Sequence, residues 1–222
     1  MTKAMILAAG RGERMRPLSD AVPKVLLEVR GKSLIAWSIE ALARSGIRDI
    51  VINHAHLGRM IEAALGDGRR FGVAIRYSRE AEALETAGGI AQALPLLGDD
   101  PFVAVNGDLF CDFDFSGLIG TALKQNLAHL VLVANPPHHP QGDFALNGTR
   151  VAEAGQSKLT FSGIGLYRPE LFSSIRPGSK GQIASLLRAA MARGLVSGEV
   201  HRGIWHDVGT PTRLSALNER VA

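Results

Sequence analysis

Short apolar runs alternate with amphipathic segments along the first half of the chain, and this alternation limits the folds that are open to it. Such runs are typical of strands that are buried on both faces of a sheet. Strands separated by helices form right-handed βαβ units, which predicts a Rossmann-like α/β fold with a mostly parallel, twisted sheet and helices on both faces. The predicted strands are residues 3–9, 49–53, 73–77, 102–105 and 130–133, and the predicted helices are 31–46, 57–65 and 86–97.

The second half of the chain is less regular. With 222 residues, of which 46% are hydrophobic, the chain is long enough to bury one sizeable core, so we expect residues 1–222 to form a single domain. The predicted elements of this half are a Pro-rich loop at 135–142, strands at 158–167, 196–201 and 204–208, and helices at 181–193 and 210–220.

Composition excludes several classes of function. Cys111 is the single cysteine, so no disulfide can form within the chain, which fits a reducing cytoplasm. The apolar run at residues 4–9 is too short for a signal peptide or a membrane span. A net charge of +4 without blocks of like charge, together with 5% aromatic residues, disfavours nucleic-acid binding. We therefore expect a cytoplasmic protein whose partners are small molecules, with neither a membrane nor a nucleic acid among them.

A glycine-rich, basic loop follows the first predicted strand. Gly10 and Gly12 allow a tight turn whose backbone N–H groups approach an anion, and in open α/β sheets ligands bind beyond the carboxyl ends of strands. Arg11, Arg14 and Lys24 add positive charge to the same region, together with Arg16. Guanidinium groups match phosphate oxygens in a bidentate manner, so the loop predicts a polyphosphate ligand.

Two common phosphate loops do not fit this segment. A dinucleotide-binding fingerprint requires a third glycine where Met15 stands, and its acidic residue is missing because the second strand ends at Asn53. A Walker loop requires GxxxxGK[ST], which the chain does not contain. An NAD-dependent oxidoreductase and a P-loop NTPase are therefore disfavoured.

The opening segment instead resembles the signature of the sugar-1-phosphate nucleotidyltransferases. Four later motifs appear in the order found in that family, so the resemblance extends to about residue 212 and implies a nucleotidyltransferase (glycosyltransferase-A-like) fold. It rests on Leu7-Ala8-Ala9-Gly10, Gly12, Arg14-Met15, Pro17-Leu18-Ser19, Pro23-Lys24 and Leu26, followed by residues 84–89, Asn106-Gly107-Asp108, residues 161–167 and residues 205–211.

The resemblance implies a reaction between a nucleoside triphosphate and a sugar 1-phosphate that gives a nucleotide sugar and pyrophosphate. In such a reaction Lys24 would lie against the reacting phosphates, and Arg14 would hold the leaving pyrophosphate. Asp108 and Asp207 would bind Mg²⁺, which prefers carboxylate oxygen and retains water. Because both aspartates and Lys24 are present, an enzyme is favoured over a sensor that binds nucleotide sugars without turnover.

Further residues are expected to contact the two substrates. Residues from about 1 to 110 would form a nucleotide-binding half, and residues from about 111 to 222 a sugar-binding half. The nucleotide contacts implied by the family motifs are Ala8, Ala9, Gly10, Arg11, Gly12, Glu80, Thr86, Ala87 and Gly88. The sugar contacts are Asn106, Gly142, Asp143, Glu153, Ser162 and Gly163.

The chain departs from the family pattern on the sugar side. Many relatives carry a Glu-Lys-Pro motif where this chain reads Val-Ala-Glu-Ala-Gly at residues 151–155, so Glu153 is retained and the lysine is missing. Lys158 is a possible replacement for that phosphate contact. His138 and His139 lie between prolines without flanking metal ligands, and we expect a loop over the sugar there in place of a zinc site.

The identity of the base is open at this level. Glu80 could accept a hydrogen bond from uracil or from a guanine edge. Residues 75–80, 85–89 and 142–146 are most similar to uridylyltransferase members of the family, which implies UTP. Mannose-1-phosphate guanylyltransferases are the alternative.

Overall fold

A computed structural model describes residues 2–220 of the chain, so residues 1, 221 and 222 of the predicted domain lie outside it. The strands are β1 (Ala4–Leu7), β2 (Glu28–Val29), β3 (Lys32–Ser33), β4 (Asp49–His54), β5 (Ala74–Arg79), β6 (Phe102–Asn106), β7 (Leu109–Cys111), β8 (Ala128–Val133), β9 (Phe144–Asn147), β10 (Arg150–Ala152), β11 (Lys158–Tyr167), β12 (Val196–Val200) and β13 (Trp205–Asp207). The helices are α1 (Leu18–Ala21), α2 (Leu34–Arg44), α3 (Gly58–Leu65), α4 (Glu85–Leu97), α5 (Phe115–Ile119), α6 (Ile183–Ala192) and α7 (Pro211–Arg220), with 3₁₀ turns at Glu13–Met15, Lys24–Leu26, Arg69–Phe71 and Pro169–Phe172.

Nine strands form one sheet in the order β5-β4-β1-β6-β11-β8-β12-β10-β9. The first four are parallel to one another, as expected for βαβ units. Strand β11 is antiparallel to both of its central neighbours, β6 and β8. Between β8 and β11 the chain carries a loop and the β9–β10 hairpin without a crossover helix, and antiparallel pairing needs no crossover. The predicted α/β class is confirmed, with parallel pairing concentrated in the first half and mixed pairing in the second.

Helices cover both faces of this sheet, as predicted. Alternate residues of β1 point to opposite sides, since Ala4 and Ile6 belong to one core cluster and Met5 belongs to the other. The first cluster packs against α2 and α3, through Ile39 among others, and the second packs against α4 and α6. Burial of both faces explains why the strands are continuous apolar runs.

The elements that the sequence did not predict are short. Apart from the 3₁₀ turns, they are α1, the β9–β10 hairpin, α5, the β2–β3 ladder and strand β7, while β13 matches the strand predicted at residues 204–208. Cys111 ends β7, and Asp114 caps α5 by accepting a hydrogen bond from the N–H of Ser116. Strand β7 pairs with β13 from far along the chain, and that pairing carries no local sequence signal.

Within residues 2–220, no helix is both long and apolar enough to cross a membrane.

Candidate active site

A cleft of about 530 Å³ lies beyond the carboxyl ends of β1 and β6, where the sequence placed a ligand. We call it the nucleotide cleft. Nine of the predicted site residues line it: Ala8, Ala9, Gly10, Gly12, Arg14, Lys24, Thr86, Asn106 and Asp108. The same wall includes seven residues that the sequence reasoning did not assign to the site: Leu7, Glu13, Val25, Asn53, Ala83, Glu85 and Gly209.

Gly12 fixes the shape of the basic loop. Its φ of 67° is left-handed, and a Cβ atom there would lie 3.1 Å from the Cβ of Lys24. The carbonyl of Gly12 accepts a hydrogen bond from the Ser19 hydroxyl at 2.7 Å and another from the Met15 N–H at 2.8 Å. The loop is thereby held close against Lys24, which explains why glycine is needed at this position.

Lys24 and Asp108 form an ion pair inside the cleft. Their side chains are 11% and 23% exposed, so both charges remain accessible to a ligand. Asp108 follows Gly107, whose N–H donates to the carbonyl of Leu7 at the end of β1. This contact brings the turn after β6 against the end of β1.

The β7–β13 ladder brings the second predicted carboxylate to the same place. Asp207 pairs with Leu109, the residue after Asp108, and the N–H of Val208 donates to the Asp108 carbonyl at 3.1 Å. The Asp207 carboxylate accepts from Arg213 Nη1 at 3.0 Å. Two aspartates that are far apart in sequence therefore lie on paired backbone segments, with Asp108 lining the cleft.

This pair of carboxylates fits a divalent cation that is shared with a substrate. Among residues 2–220, no group of three or more His, Cys, Asp and Glu side chains could hold a metal ion by itself. Two carboxylates on neighbouring backbone segments suit a hard cation that keeps water and takes its other oxygens from phosphates. Lys24 and Arg213, which now pair with the two aspartates, would then be free to contact other anions.

Arg14 and Arg11 are both exposed on the same loop, but they differ in whether they line the nucleotide cleft. Arg14 lines the cleft, and its Nη2 lies 3.4 Å from where a Cβ on Gly209 would stand, so its guanidinium reaches the turn after Asp207. Arg11 is exposed and does not line the cleft. The predicted nucleotide contact of Arg11 can therefore involve its backbone more readily than its side chain.

Glu80 lies beneath the cleft wall and not in the cleft. Only 6% exposed, it accepts from Asn53 Nδ2 at 2.7 Å and from the Leu84 N–H at 2.9 Å. Asn53 in turn accepts from the N–H of Ala8 at 3.0 Å. Burial raises the pKa of Glu80, and the bonds from Asn53 and Leu84 oppose that shift. Because both carboxylate oxygens are engaged, the structure gives Glu80 a bracing position where the sequence suggested direct contact with the base.

The start of α4 is clamped by a segment from the second half of the chain. The N–H groups of Ala87 and Gly88 donate to the Gly181 carbonyl at 2.8 and 3.3 Å, and a Cβ on Gly88 would lie 2.2 Å from the Ser179 carbonyl. Thr86 faces the nucleotide cleft, whereas the amides of Ala87 and Gly88 are already occupied. Direct nucleotide contacts from these two amides would require the clamp to open.

A second cavity of about 270 Å³ adjoins the cleft, sharing Arg14 and Asn106 with it. We call it the sugar-side cavity; its wall consists of Arg14, Asn106, Leu109, His138, His139, Thr160, Phe161, Ser162, Trp205, Asp207 and Arg213. Ser162 and Gly163 lie at a bulge in the β8–β11 ladder, and bulges commonly reorient residues beside active sites. Gly163 has a φ of 81°, and a Cβ there would approach Asn106 Nδ2 to 2.5 Å.

The other predicted sugar contacts lie at or beyond the edge of this cavity. Asp143 accepts from the Phe161 N–H at 2.8 Å and bonds to His139 at 3.1 Å, so it anchors the Pro-rich loop. Gly142 has a φ of 63° and packs against Asn135 in the same loop. Glu153 forms an exposed ion pair with Arg188 at 2.9 Å and lines neither cavity.

Two residues that sequence reasoning missed shape the site: Asn53 and Arg213. Asn53 is a polar residue that directly follows the apolar centre of β4, residues 50–52, and that position was a usable signal. Arg213 lies in the first turn of α7, three residues after Thr210, whose hydroxyl accepts from the Arg213 N–H at 3.3 Å. Nothing local in the sequence indicated that its side chain turns back to Asp207.

Cations paired with carboxylates where the nucleotide cleft adjoins the sugar-side cavity suit chemistry on a polyphosphate, so the fold and the site define an enzyme that transfers a phosphate-bearing group. The nucleotidyl transferase family model matches residues 3–222, and the chain belongs to that family.

Relatives and solved structures agree with this assignment. The chain is 57% identical over 219 residues to the N-acetylmuramate alpha-1-phosphate uridylyltransferase of Neisseria meningitidis serogroup B, covering 96% of this chain and 95% of that protein. It is 27% identical to the mannose-1-phosphate guanylyltransferase catalytic subunit beta of Xenopus tropicalis, covering 94% of this chain and 61% of that protein. A putative glucose-1-phosphate thymidylyltransferase from Bacillus anthracis, solved in complex with a sucrose, superposes with a TM-score of 0.87 at 24% identity, covering 99% and 95% of the two chains, which shows the fold.

Proposed function

We propose that this enzyme transfers a uridylyl group from UTP to N-acetylmuramate α-1-phosphate, giving the UDP-sugar and pyrophosphate. The observation that carries the proposal is the meeting of Lys24, Arg14, Asp108 and Asp207 at the junction of the two cavities. The choice of sugar and base rests on the high identity to the uridylyltransferase of Neisseria meningitidis. Such an activity belongs to the recycling of bacterial cell-wall sugars in the cytoplasm.

The chemistry requires charge neutralisation more than proton transfer. An oxygen of the sugar phosphate, already anionic, attacks the α-phosphorus of UTP, and the bond from that phosphorus to the bridging oxygen of pyrophosphate breaks. No general base is needed. Positioning and electrostatic stabilisation of the transition state supply the catalysis, as in other phosphoryl transfers.

Each charged residue then has a defined task. Lys24 neutralises charge on the reacting phosphates, and the exposed guanidinium of Arg14 holds the pyrophosphate group together with N–H groups of the glycine loop. Asp108 and Asp207 would bind Mg²⁺, which when bound lowers the repulsion between the two phosphate groups. Asn106 and the bulge at Ser162 and Gly163 present polar groups to the sugar.

The proposal is tested by measuring pyrophosphate release from a grid of UTP, GTP, dTTP, CTP and ATP against several sugar 1-phosphates. The sugars are those of N-acetylmuramate, mannose, glucose and N-acetylglucosamine. We expect turnover with UTP and the muramate phosphate, loss of turnover in EDTA, and recovery with Mg²⁺. A Lys24→Met protein serves as the inactive control.

Three outcomes would contradict parts of the proposal. Preferential turnover of GTP with mannose 1-phosphate would retain the mechanism and overturn both substrates. Binding of UDP-sugars by a folded protein that turns over no pair in the grid would favour a nucleotide-sugar sensor. Full activity in EDTA would overturn the role of the two aspartates.

A further inference from the structure

Arg213 lies where the site meets a third cavity. Its Nη1 donates to Asp207 Oδ2 at 3.0 Å and to the Asp207 carbonyl at 3.4 Å, and its side chain is 25% exposed. It lines the sugar-side cavity and also a neighbouring cavity of about 480 Å³ under α7. The guanidinium therefore combines a fixed position with access to a ligand.

The side chains that line the two cavities beside Arg213 carry more positive than negative charge. Asp207 is the one acidic residue among those that line the sugar-side cavity and the cavity under α7 within the described chain. The arginines on the same two linings are Arg14, Arg202, Arg213 and Arg220. If Asp207 binds a cation, Arg213 loses its carboxylate partner, and a partly buried guanidinium without an anion is costly. An anionic group of the ligand would restore the balance.

Lys158, the suggested replacement for the missing lysine, does not supply a cation on the sugar side, and Glu153 does not reach it. Lys158 lines neither the nucleotide cleft nor the sugar-side cavity, and Glu153 pairs with Arg188 outside both. Three other side chains that can carry positive charge line the sugar-side cavity. Arg14 also lines the nucleotide cleft, and His138 and His139 are not permanently charged. Arg213 is a permanent positive charge that comes from the second half of the chain.

We propose that Arg213 binds the phosphate of the sugar 1-phosphate and takes the place of the lysine that is missing at residues 151–155. The inference rests on the proposed function. Its geometric basis is that Asp207 is one of the two carboxylates expected to bind Mg²⁺ near the reacting phosphates, and Arg213 donates a hydrogen bond to Asp207. A guanidinium offers several N–H donors, so Arg213 can keep its bond to the Asp207 backbone carbonyl while forming a bidentate contact with a phosphate.

The test compares Arg213→Gln and Arg213→Lys with Arg202→Gln. Arg202 lines the cavity under α7 and not the sugar-side cavity, so it is a matched control for loss of an arginine. We expect Arg213→Gln to raise the KM for the sugar 1-phosphate about 10- to 100-fold, as for loss of a charge-assisted hydrogen bond, with less than about a twofold change in the KM for UTP. Arg213→Lys should recover part of this loss, and Arg202→Gln should behave like the wild type.

A binding measurement separates this role from simple support of Asp207. Calorimetric titration of the sugar 1-phosphate into enzyme loaded with Mg²⁺ and a non-hydrolysable UTP analogue should show weaker binding to Arg213→Gln by the same factor. Unchanged sugar-phosphate affinity with a raised Mg²⁺ requirement would overturn the proposal and leave Arg213 as a positioning residue for Asp207.

N-acetylmuramate 1-phosphate carries two anionic groups, its phosphate and its lactyl carboxylate, and a second sugar shows which of them Arg213 binds. N-acetylglucosamine 1-phosphate lacks the lactyl carboxylate, and it is used as a substrate or as a competitive inhibitor. Equal weakening for both sugars supports a phosphate contact, whereas weakening confined to the muramate compound would overturn it in favour of the carboxylate. If the wild-type protein turns over no sugar 1-phosphate, the proposed function itself fails, and this result is separate from any effect of Arg213.

Discussion

Individual charged residues of the basic loop differ in what surrounds them, and this difference determines their expected roles. Lys24 is mostly buried and paired with Asp108, while Arg14 is exposed and directed across the cleft. Arg11, three residues earlier, is exposed away from the cleft lining. A basic loop in a sequence therefore does not imply that every cation in it touches the ligand.

Arg14 and Arg11 form a matched pair for testing this distinction. We expect Arg14→Gln to lower kcat/KM for UTP on the order of 10²-fold, because a charge-assisted contact to the leaving pyrophosphate is lost. Arg11→Gln should change it by less than about threefold, since its backbone is unaltered. Steady-state pyrophosphate release measures both, and similar losses in the two variants would contradict the placement of Arg11.

A second residue-level prediction concerns stability in acid. Glu62 accepts two hydrogen bonds from Arg79, at 2.7 and 2.8 Å, and bonds to buried His54 at 2.7 Å. The bonds from Arg79 are the main reason that the pKa of Glu62 falls from 4.5 to about 2. Because the folded state has the lower pKa, the stabilisation is present above pH 4.5 and is lost as the pH falls from there toward 2.

Urea unfolding between pH 3 and pH 7 tests the contribution of Glu62. We expect Glu62→Gln to flatten the part of the pH profile below about pH 5, because the neutral amide cannot lose a charge. Asp100→Asn, which changes an exposed carboxylate, serves as the control and should follow the wild-type profile. An unchanged acid slope in Glu62→Gln would show that the Arg79 pair does not stabilise the folded state.

At the scale of the elements, a bulge in β11 shapes the sugar-side cavity. The ladder between β8 and β11 shifts register between Phe161 and Ile164, and Ser162 fills the gap by donating to the Val131 carbonyl at 2.7 Å. Trp205 Nε1 donates to the Ser162 carbonyl at 3.0 Å, which ties β13 to the bulge. A central strand is thereby opened locally so that polar groups face the sugar-side cavity.

The substitution Gly163→Ala should lower both the stability of the fold and the activity of the enzyme. The left-handed φ of Gly163 and the 2.5 Å approach to Asn106 predict a loss of about 2–4 kcal/mol in the free energy of unfolding. Gly148→Ala, at a hairpin turn with a φ of 60° and open space around it, isolates the backbone cost and should lose about 1 kcal/mol. If urea unfolding shows equal losses of unfolding free energy in the two variants, the close approach to Asn106 adds no cost beyond that of the backbone conformation.

The whole molecule joins its two halves at several places. Strand β6 pairs with β11 in the main sheet, β7 pairs with β13, and the Gly181 carbonyl bonds to the start of α4. Each of these contacts connects residues before about 110 with residues after it. The halves named for the nucleotide and the sugar therefore share one sheet, and we expect them to unfold together.

The two tryptophans allow this cooperativity to be measured, because Trp37 lies in α2 and Trp205 in β13. We expect Trp205→Phe, which leaves Trp37 as the probe, and Trp37→Phe, which leaves Trp205, each to show one denaturant transition whose fluorescence midpoint coincides with its circular dichroism midpoint. In either protein, a fluorescence midpoint that is separate from the dichroism midpoint would indicate two independently unfolding units.

The sequence by itself predicted the main-sheet strands and the longer helices of the first half, the glycine turn, and Lys24, Asp108 and Asp207 as candidate site residues. These features are encoded locally, either by apolar runs or by closely spaced motifs. Only the tertiary structure decided that Glu80 braces Asn53, that Gly181 occupies the amides of α4, and that Arg213 reaches Asp207. The Glu80–Asn53 and Gly181–α4 contacts join residues distant in the chain, and the Arg213 contact depends on the direction of a side chain, so none of the three leaves a pattern that can be read along the sequence.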